Sequence, residues 1–243
     1  MIPPPPVTKG WSQVTAIFGG TFDPPHLGHT KAILGLFENP RVGRVLVLPT
    51  PAPPHKIAPT PLEHRLKMAQ IAFSGLPDVS LDLREIRRAG HSQVQPGASP
   101  KARTYTYDTL LELRAEGIKP AFVIGADQFL ELHTWYKFPE VLGLSHWIVL
   151  KRLGTQNALI QKTLSTLVGS GILESQRSGD HEGLWKTRFG SQLLLTPTSA
   201  PELSSSAIRE SIARTGAPPE QSLLPEITSY LKLHRIYGTA AKL

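Results

Sequence analysis

The 243-residue chain has no cysteine. That excludes disulfides, a thiolate nucleophile and any cysteine-ligated zinc or iron–sulfur centre. It is compatible with a reducing compartment, and cytoplasmic placement is the expectation. Long apolar runs are missing too: stretches such as WIVL at 147–150 are far too short to span a bilayer. The opening MIPPPPVTKG lacks the apolar segment of a secretory signal. Its four prolines predict a short extended tail over 1–12, ahead of one domain over 13–243.

Charge is not balanced. Lys and Arg outnumber Asp and Glu by 26 to 19, a net +7, which suits a polyanionic partner and equally a solvated basic surface. Arg84, Arg87, Arg88, Lys101 and Arg103 flank AGHSQVQPGASP, a Gly/Pro/Ser-rich loop signal. No RNA-binding aromatic signature accompanies them, so neither nucleic acid nor membrane is an expected partner.

Apolar runs at 14–18 (VTAIF), 45–48 (VLVL), 121–124 (AFVI) and 147–150 read as buried strands, with weaker ones at 79–83 and 193–196. Helical spacing follows in LGHTKAILGLFE, in 62–73 and in 107–115. Strands alternating with helices predict a doubly wound, Rossmann-like α/β fold with helices on both faces of a parallel sheet. Ligands in such sheets lie beyond the carboxyl ends of the strands. Residues 153–190, with scattered Gly and Ser around a weak helix, read as a surface excursion.

The densest signal is IFGGTFDPPHLGH at 17–29. Histidines three apart can be metal ligands, an acid/base pair, phosphate contacts or surface residues. The stretch is no dinucleotide fingerprint and no P-loop, since G-x-G-x-x-G and G-K-[ST] are absent from it. No HExxH or nearby carboxylate pair completes a zinc set, so no metal site is expected. Phosphate handling remains: His26 and His29 open a predicted helix, where free N–H groups and the macrodipole attract anions. Gly28 removes a side chain that would block close approach.

In that setting GGTFDPPHLGH resembles the signature of the nucleotidyltransferase superfamily marked by (H/T)-x-G-H. Within it the chain is most similar to the bacterial nicotinate-nucleotide adenylyltransferases. The resemblance runs from about Val14 to Gly238 and rests further on APPHK, TYTYDTL, VIGADQFLELHTWYKF, LSSSAIRES and LLPEITSYLKLHRIYG. Ser206 stands where the family often has Thr, and Lys151-Arg152 where it has an Arg pair.

The resemblance implies attack of the nicotinate mononucleotide phosphate on the α-phosphorus of ATP, with Mg²⁺ arriving on ATP. It implies catalytic roles for His26, His29, Lys56 and Arg209. For ATP it implies Gly19, Gly20, Thr21, Phe22, Gly28, Gly125, Asp127, Ser204, Ser205, Ser206 and Ile208. For the mononucleotide it implies Asp23, His55, Thr106, Trp135 and Arg152. By position alone Trp135 reads as core, while Asp127 and the serines read as helix N-caps. A homo-oligomer is compatible with the resemblance; its size is not written in the sequence. The rival readings are a pantetheine-phosphate adenylyltransferase, which shares the T-F-D-P start, and a non-catalytic nucleotide-sensing or RNA-binding protein.

Overall fold

Apolar residues alternate with short polar corners along the chain, and in the computed structural model they line up as a layered α/β sheet. The structure describes residues 11, 13–51, 60–90, 104–152, 157–175 and 183–239, the side chain of residue 152 excepted. His55, Lys56, nearly all of the predicted tail and residues 91–103 lie outside that set.

The strands are β1 (Val14–Gly20), β2 (Val42–Pro49), β3 (Val79–Leu81), β4 (Pro120–Gly125), β5 (His146–Arg152), β6 (Leu184–Lys186) and β7 (Gln192–Thr198). They join in the order β3-β2-β1-β4-β5-β7-β6. Pairs β1/β4, β4/β5 and β5/β7 are parallel, with Ile17 opposite Phe122 and Val123 opposite Ile148. Strand β6, on the edge, runs antiparallel to β7. The order reverses at β1/β4, the kind of switch point beyond whose carboxyl ends α/β sheets bind ligands. The helices are α1 (Leu27–Leu36), α2 (Leu62–Phe73), α3 (Arg84–Arg88), α4 (Thr106–Ala115), α5 (Ala126–Leu130), α6 (Asn157–Gly169), α7 (Ser205–Thr215) and α8 (Pro225–Leu233). None is long and apolar enough to cross a membrane.

The chain resolves into two compact units. The first comprises Met1–Phe18, Leu34–Val45 and Tyr105–Ser199. Its core is the continuous apolar register expected of strands covered on both faces: Ala16 and Ile17, Ala121 to Ile124, Trp147 to Val149 and Leu193 to Leu195. Trp11, counted with the predicted tail, is buried here and stacks on His146 at 4.8 Å. The stretch anticipated as an excursion supplies α6 and β6; Ile160, Leu164 and Leu167 fall on one helical stripe and are buried.

The second unit comprises Gly19–Ile33, Leu46–Thr104 and Ala200–Leu243. Leu66, Met68, Ala69 and Phe73 of α2 are buried, as are Ile208 and Ile212 of α7 and Ile227 and Leu231 of α8. One polar residue, Arg65, shares the buried stripe of α2.

Candidate active site

The corner after β1 is built from close approaches. A Cβ on Gly20 would sit 2.8 Å from the Phe22 ring. Phe22 itself is left-handed, at φ 52°, and meets Phe73 and His29 edge-on at 5.2 and 5.3 Å. The Asp23-Pro24 bond is cis. A Cβ on Gly28 would sit 2.9 Å from Nδ1 of His26 and 3.1 Å from the Pro201 carbonyl. Gly28 is therefore required first by the neighbouring imidazole, before any ligand arrives.

His26 and His29 stack nearly parallel, with ring centroids 3.6 Å apart. The backbone N–H of His26 donates to Nδ1 of His29 at 3.1 Å, and the N–H of His29 donates to Nδ1 of His26 at 3.3 Å. An Nδ1 that accepts carries no proton, so each neutral ring bears its hydrogen on Nε2. The corner thus orients two Nε2–H donors. Helix α1 contributes less than its sequence suggests. Of its first four N–H groups, Leu27 donates to the Ser222 carbonyl at 2.9 Å, while His29 and Thr30 donate to the His26 carbonyl. Donor capacity at this end comes from imidazoles more than from free helix amides.

Helix α7 meets the same corner. Ser204 is its N-cap and accepts from the N–H of Ala207 at 3.0 Å, as the serine run predicts. Ser205 donates to the Pro24 carbonyl at 2.8 Å. Arg209 donates to the Asp23 carbonyl at 2.7 Å and to Ser206 Oγ at 3.2 Å. A cation and two imidazole donors are thereby gathered on one short stretch of chain, an arrangement suited to an anion with several oxygens.

Three of the expected site residues have buried side chains. The side chains of Phe22, Asp23 and Ile208 are 2%, 2% and 1% exposed. They serve the corner from behind: Phe22 seats His29, Ile208 packs α7, and Asp23 is occupied as described next.

Two residues outside the expected set of site residues complete the corner. Tyr237 donates its phenolic hydrogen to Oδ1 of Asp23. Arg65, 2% exposed, gives hydrogen bonds to four carbonyls: Thr60 at 3.2 Å, Thr21 at 3.0 Å, Thr50 at 2.8 Å and Pro51 at 2.7 Å. Burial lowers its pKa, opposed by the negative charge of Asp23. A lone cation on the apolar stripe of α2 was the readable signal for Arg65; nothing local announces Tyr237.

In the first unit, β4 ends at Gly125, which accepts no side-chain cap; its N–H donates to Gln128 Oε1 at 3.1 Å. Asp127 is therefore not the N-cap of α5 but an exposed residue of its first turn. Thr106 opens α4. Trp135 is half-buried, its ring edge-on to Phe122 at 6.0 Å and Trp147 at 5.9 Å. Its neighbour Tyr136 is exposed, with Tyr105 at 4.5 Å. The backbone of Arg152 pairs with Thr198 at the end of β5.

Known proteins with this organisation are available for comparison. A family model described as cytidylyltransferase-like matches residues 17–211. A Yersinia pestis protein named "Probable nicotinate-nucleotide adenylyltransferase" is 31% identical over 237 residues, covering 96% of this chain and 99% of that one. A Hahella chejuensis protein of the same name is 34% identical, covering 91% and 94%. The chain belongs to the nicotinate-nucleotide adenylyltransferase family. It is a nucleotidyltransferase.

The nicotinic acid mononucleotide adenylyltransferase of Plasmodium falciparum, solved with NaAD, superposes with a TM-score of 0.65 over 95% of this chain and all of that one. At 16% identity that likeness concerns the fold, and the mostly parallel sheet of this adenylyltransferase agrees with it. The histidine corner, the start of α7 and Arg209 fall inside the matched residues 17–211.

Proposed function

We propose that this enzyme condenses MgATP with nicotinate mononucleotide, giving deamido-NAD and pyrophosphate, a step of NAD biosynthesis carried out in the cytoplasm. The carrying observation is the stacked pair of His26 and His29, whose two Nδ1 atoms accept backbone N–H groups. The pair offers fixed hydrogen-bond donors beside Arg209, and such donors stabilise charge that develops on transferring phosphate oxygens.

In the proposed step an oxygen of the mononucleotide phosphate attacks the α-phosphorus of ATP. The new P–O bond forms as the bond to the β-phosphate breaks, and pyrophosphate leaves with Mg²⁺. The attacking phosphate is already ionised at neutral pH, so no general base is needed; positioning and charge neutralisation carry the catalysis. His29 serves the α-phosphate, with His26, Lys56 and Arg209 along the triphosphate. Gly19, Gly20, Thr21, Gly28, Gly125, Asp127, Ser204, Ser205 and Ser206 serve ATP. Thr106, His55, Arg152 and the Trp135 ring serve the mononucleotide, the last by stacking on the pyridine. Mg²⁺ enters as part of the nucleotide and keeps its waters rather than occupying a protein cage.

The test is pyrophosphate release from MgATP with a panel of acceptors. Nicotinate mononucleotide should turn over best, ahead of nicotinamide mononucleotide and phosphopantetheine, with deamido-NAD as the product by mass. Turnover of phosphopantetheine alone, or ATP binding without turnover of any acceptor, overturns the reading.

A further inference from the structure

The carboxylate of Asp23 is a buried charge with a specific partner that the reaction itself does not use. Its Oδ1 accepts the phenolic hydrogen of Tyr237. Its Oδ2 is buried and has no hydrogen-bond partner among the described residues. Its main-chain carbonyl holds Arg209 at 2.7 Å, and the next carbonyl, of Pro24, holds Ser205 at 2.8 Å. One residue thus receives the phenol through its side chain and the cation of the anion site through its backbone.

Both sides of the phenol–carboxylate contact are set by unusual backbone. Phe22, just before Asp23, has φ 52°; Arg235 and Tyr237 have φ 51° and 61°. Non-glycine residues in that region are uncommon and persist where the surroundings over-determine them. Around Tyr237 the surroundings are firm: Ile236 is buried, and the buried Thr239 hydroxyl bonds the Leu231 and Ile236 carbonyls at 2.9 and 3.1 Å. The Thr60 side chain adds a hydrogen bond to the phenol. Burial first, then the Asp23 charge, push the phenol far above its ordinary pKa, so it remains a donor throughout the working range.

We infer that Tyr237 is a positioning residue of the adenylyl-transfer site, acting through Asp23 to fix the carbonyl that aims Arg209 at the triphosphate. The inference rests on the function proposed above. Tyr237 touches no substrate; removing its hydroxyl leaves the Asp23 carboxylate without its donor, and the corner that carries Arg209 loses its tether.

The test is Tyr237→Phe, alone and combined with Arg209→Ala, assayed with MgATP and nicotinate mononucleotide below the melting temperature of every variant. The single variant should lose about 10- to 100-fold in kcat/KM for MgATP, the range for a lost hydrogen bond to a charged group, with KM for the mononucleotide unchanged. In the Arg209→Ala background the same change should cost little further, because the two act as one unit. The variant D23N/Y237F, which removes the unpaired charge along with the phenol, should show the same selective loss. Wild-type kcat/KM in Tyr237→Phe, or losses that simply multiply with those of Arg209→Ala, overturn the inference. So does unfolding of both Tyr237→Phe and D23N/Y237F, which would assign the contact to the fold alone. Titration of MgATP separates this from the proposed function. Wild type that binds MgATP but makes no deamido-NAD refutes the function, while weakened MgATP binding by Tyr237→Phe still supports the inference.

Discussion

Around the corner from Gly20 to His29, side chains are held by directional bonds to the main chain; around Trp135 they are held by ring edges. His26 and His29 each receive a backbone N–H, and Arg209 grips a carbonyl. Trp135, by contrast, leans edge-on against Phe122 and Trp147 at about 6 Å. The difference matches the tasks proposed for the two regions. A donor aimed at developing charge works only at the right distance and angle, which hydrogen bonds enforce. A flat surface for a flat base tolerates slack, because stacking falls off gently with offset.

That contrast can be broken by mutation. The largest effect should come from His29→Ala, with kcat down by ~10²–10³, the usual cost of one preorganised donor, and KM for ATP changed less. A steady-state assay giving wild-type kcat would leave the histidine only a packing role against Phe22. Next is Arg209→Ala, expected to weaken kcat/KM for MgATP by about 1.5–3 kcal/mol while the melting temperature of the free protein barely moves. Normal use of ATP by that variant removes the second anion contact from the scheme. Trp135→Ala should raise KM for the mononucleotide by roughly 1–3 kcal/mol, the worth of one base–aromatic stack, with ATP binding nearly unaffected. Global unfolding instead would make the ring simply core.

The smallest effect sharpens the comparison from the other side, at His146. This residue of the ring-held unit stacks on Trp11 and accepts the Gln192 N–H at its Nδ1, 3.1 Å away. Burial depresses its pKa below 6.5. The folded state therefore refuses a proton that the unfolded chain takes, so this contribution to stability is complete above 6.5 and is lost as pH falls through the folded value. Melting temperature measured against pH should decline on the acid side, and His146→Gln should flatten that part of the curve.

Much of this was legible in the sequence, and the reason lies in how local each signal is. The run VTAIF ends in two glycines, and β1 extends through both of them to Gly20. The helix expected at 62–73 is α2, because periodicity over three turns is hard to mistake. Three serines before an apolar stripe placed the cap of α7 at Ser204. What escaped were elements too short to show a period, such as β6 with three residues and α3 with five. Partnerships made by folding escaped as well: Tyr237 and Asp23 are 214 positions apart, and no window of sequence joins them. Gly28 was read as clearance for a ligand, yet its first neighbour is the imidazole two residues before it.

Arg65 has a consequence for how this protein opens. Its guanidinium is delivered by α2, and the carbonyls of Thr21, Thr50, Pro51 and Thr60 have it in common as a donor. Buried carbonyls released without a partner are costly, so none of these segments can loosen alone while the helix stays docked. In native-state hydrogen exchange the amides of α2 and of the chain around Thr21 and Thr50 should report one shared opening free energy, marking a single cooperative unit rather than a set of independently fraying turns.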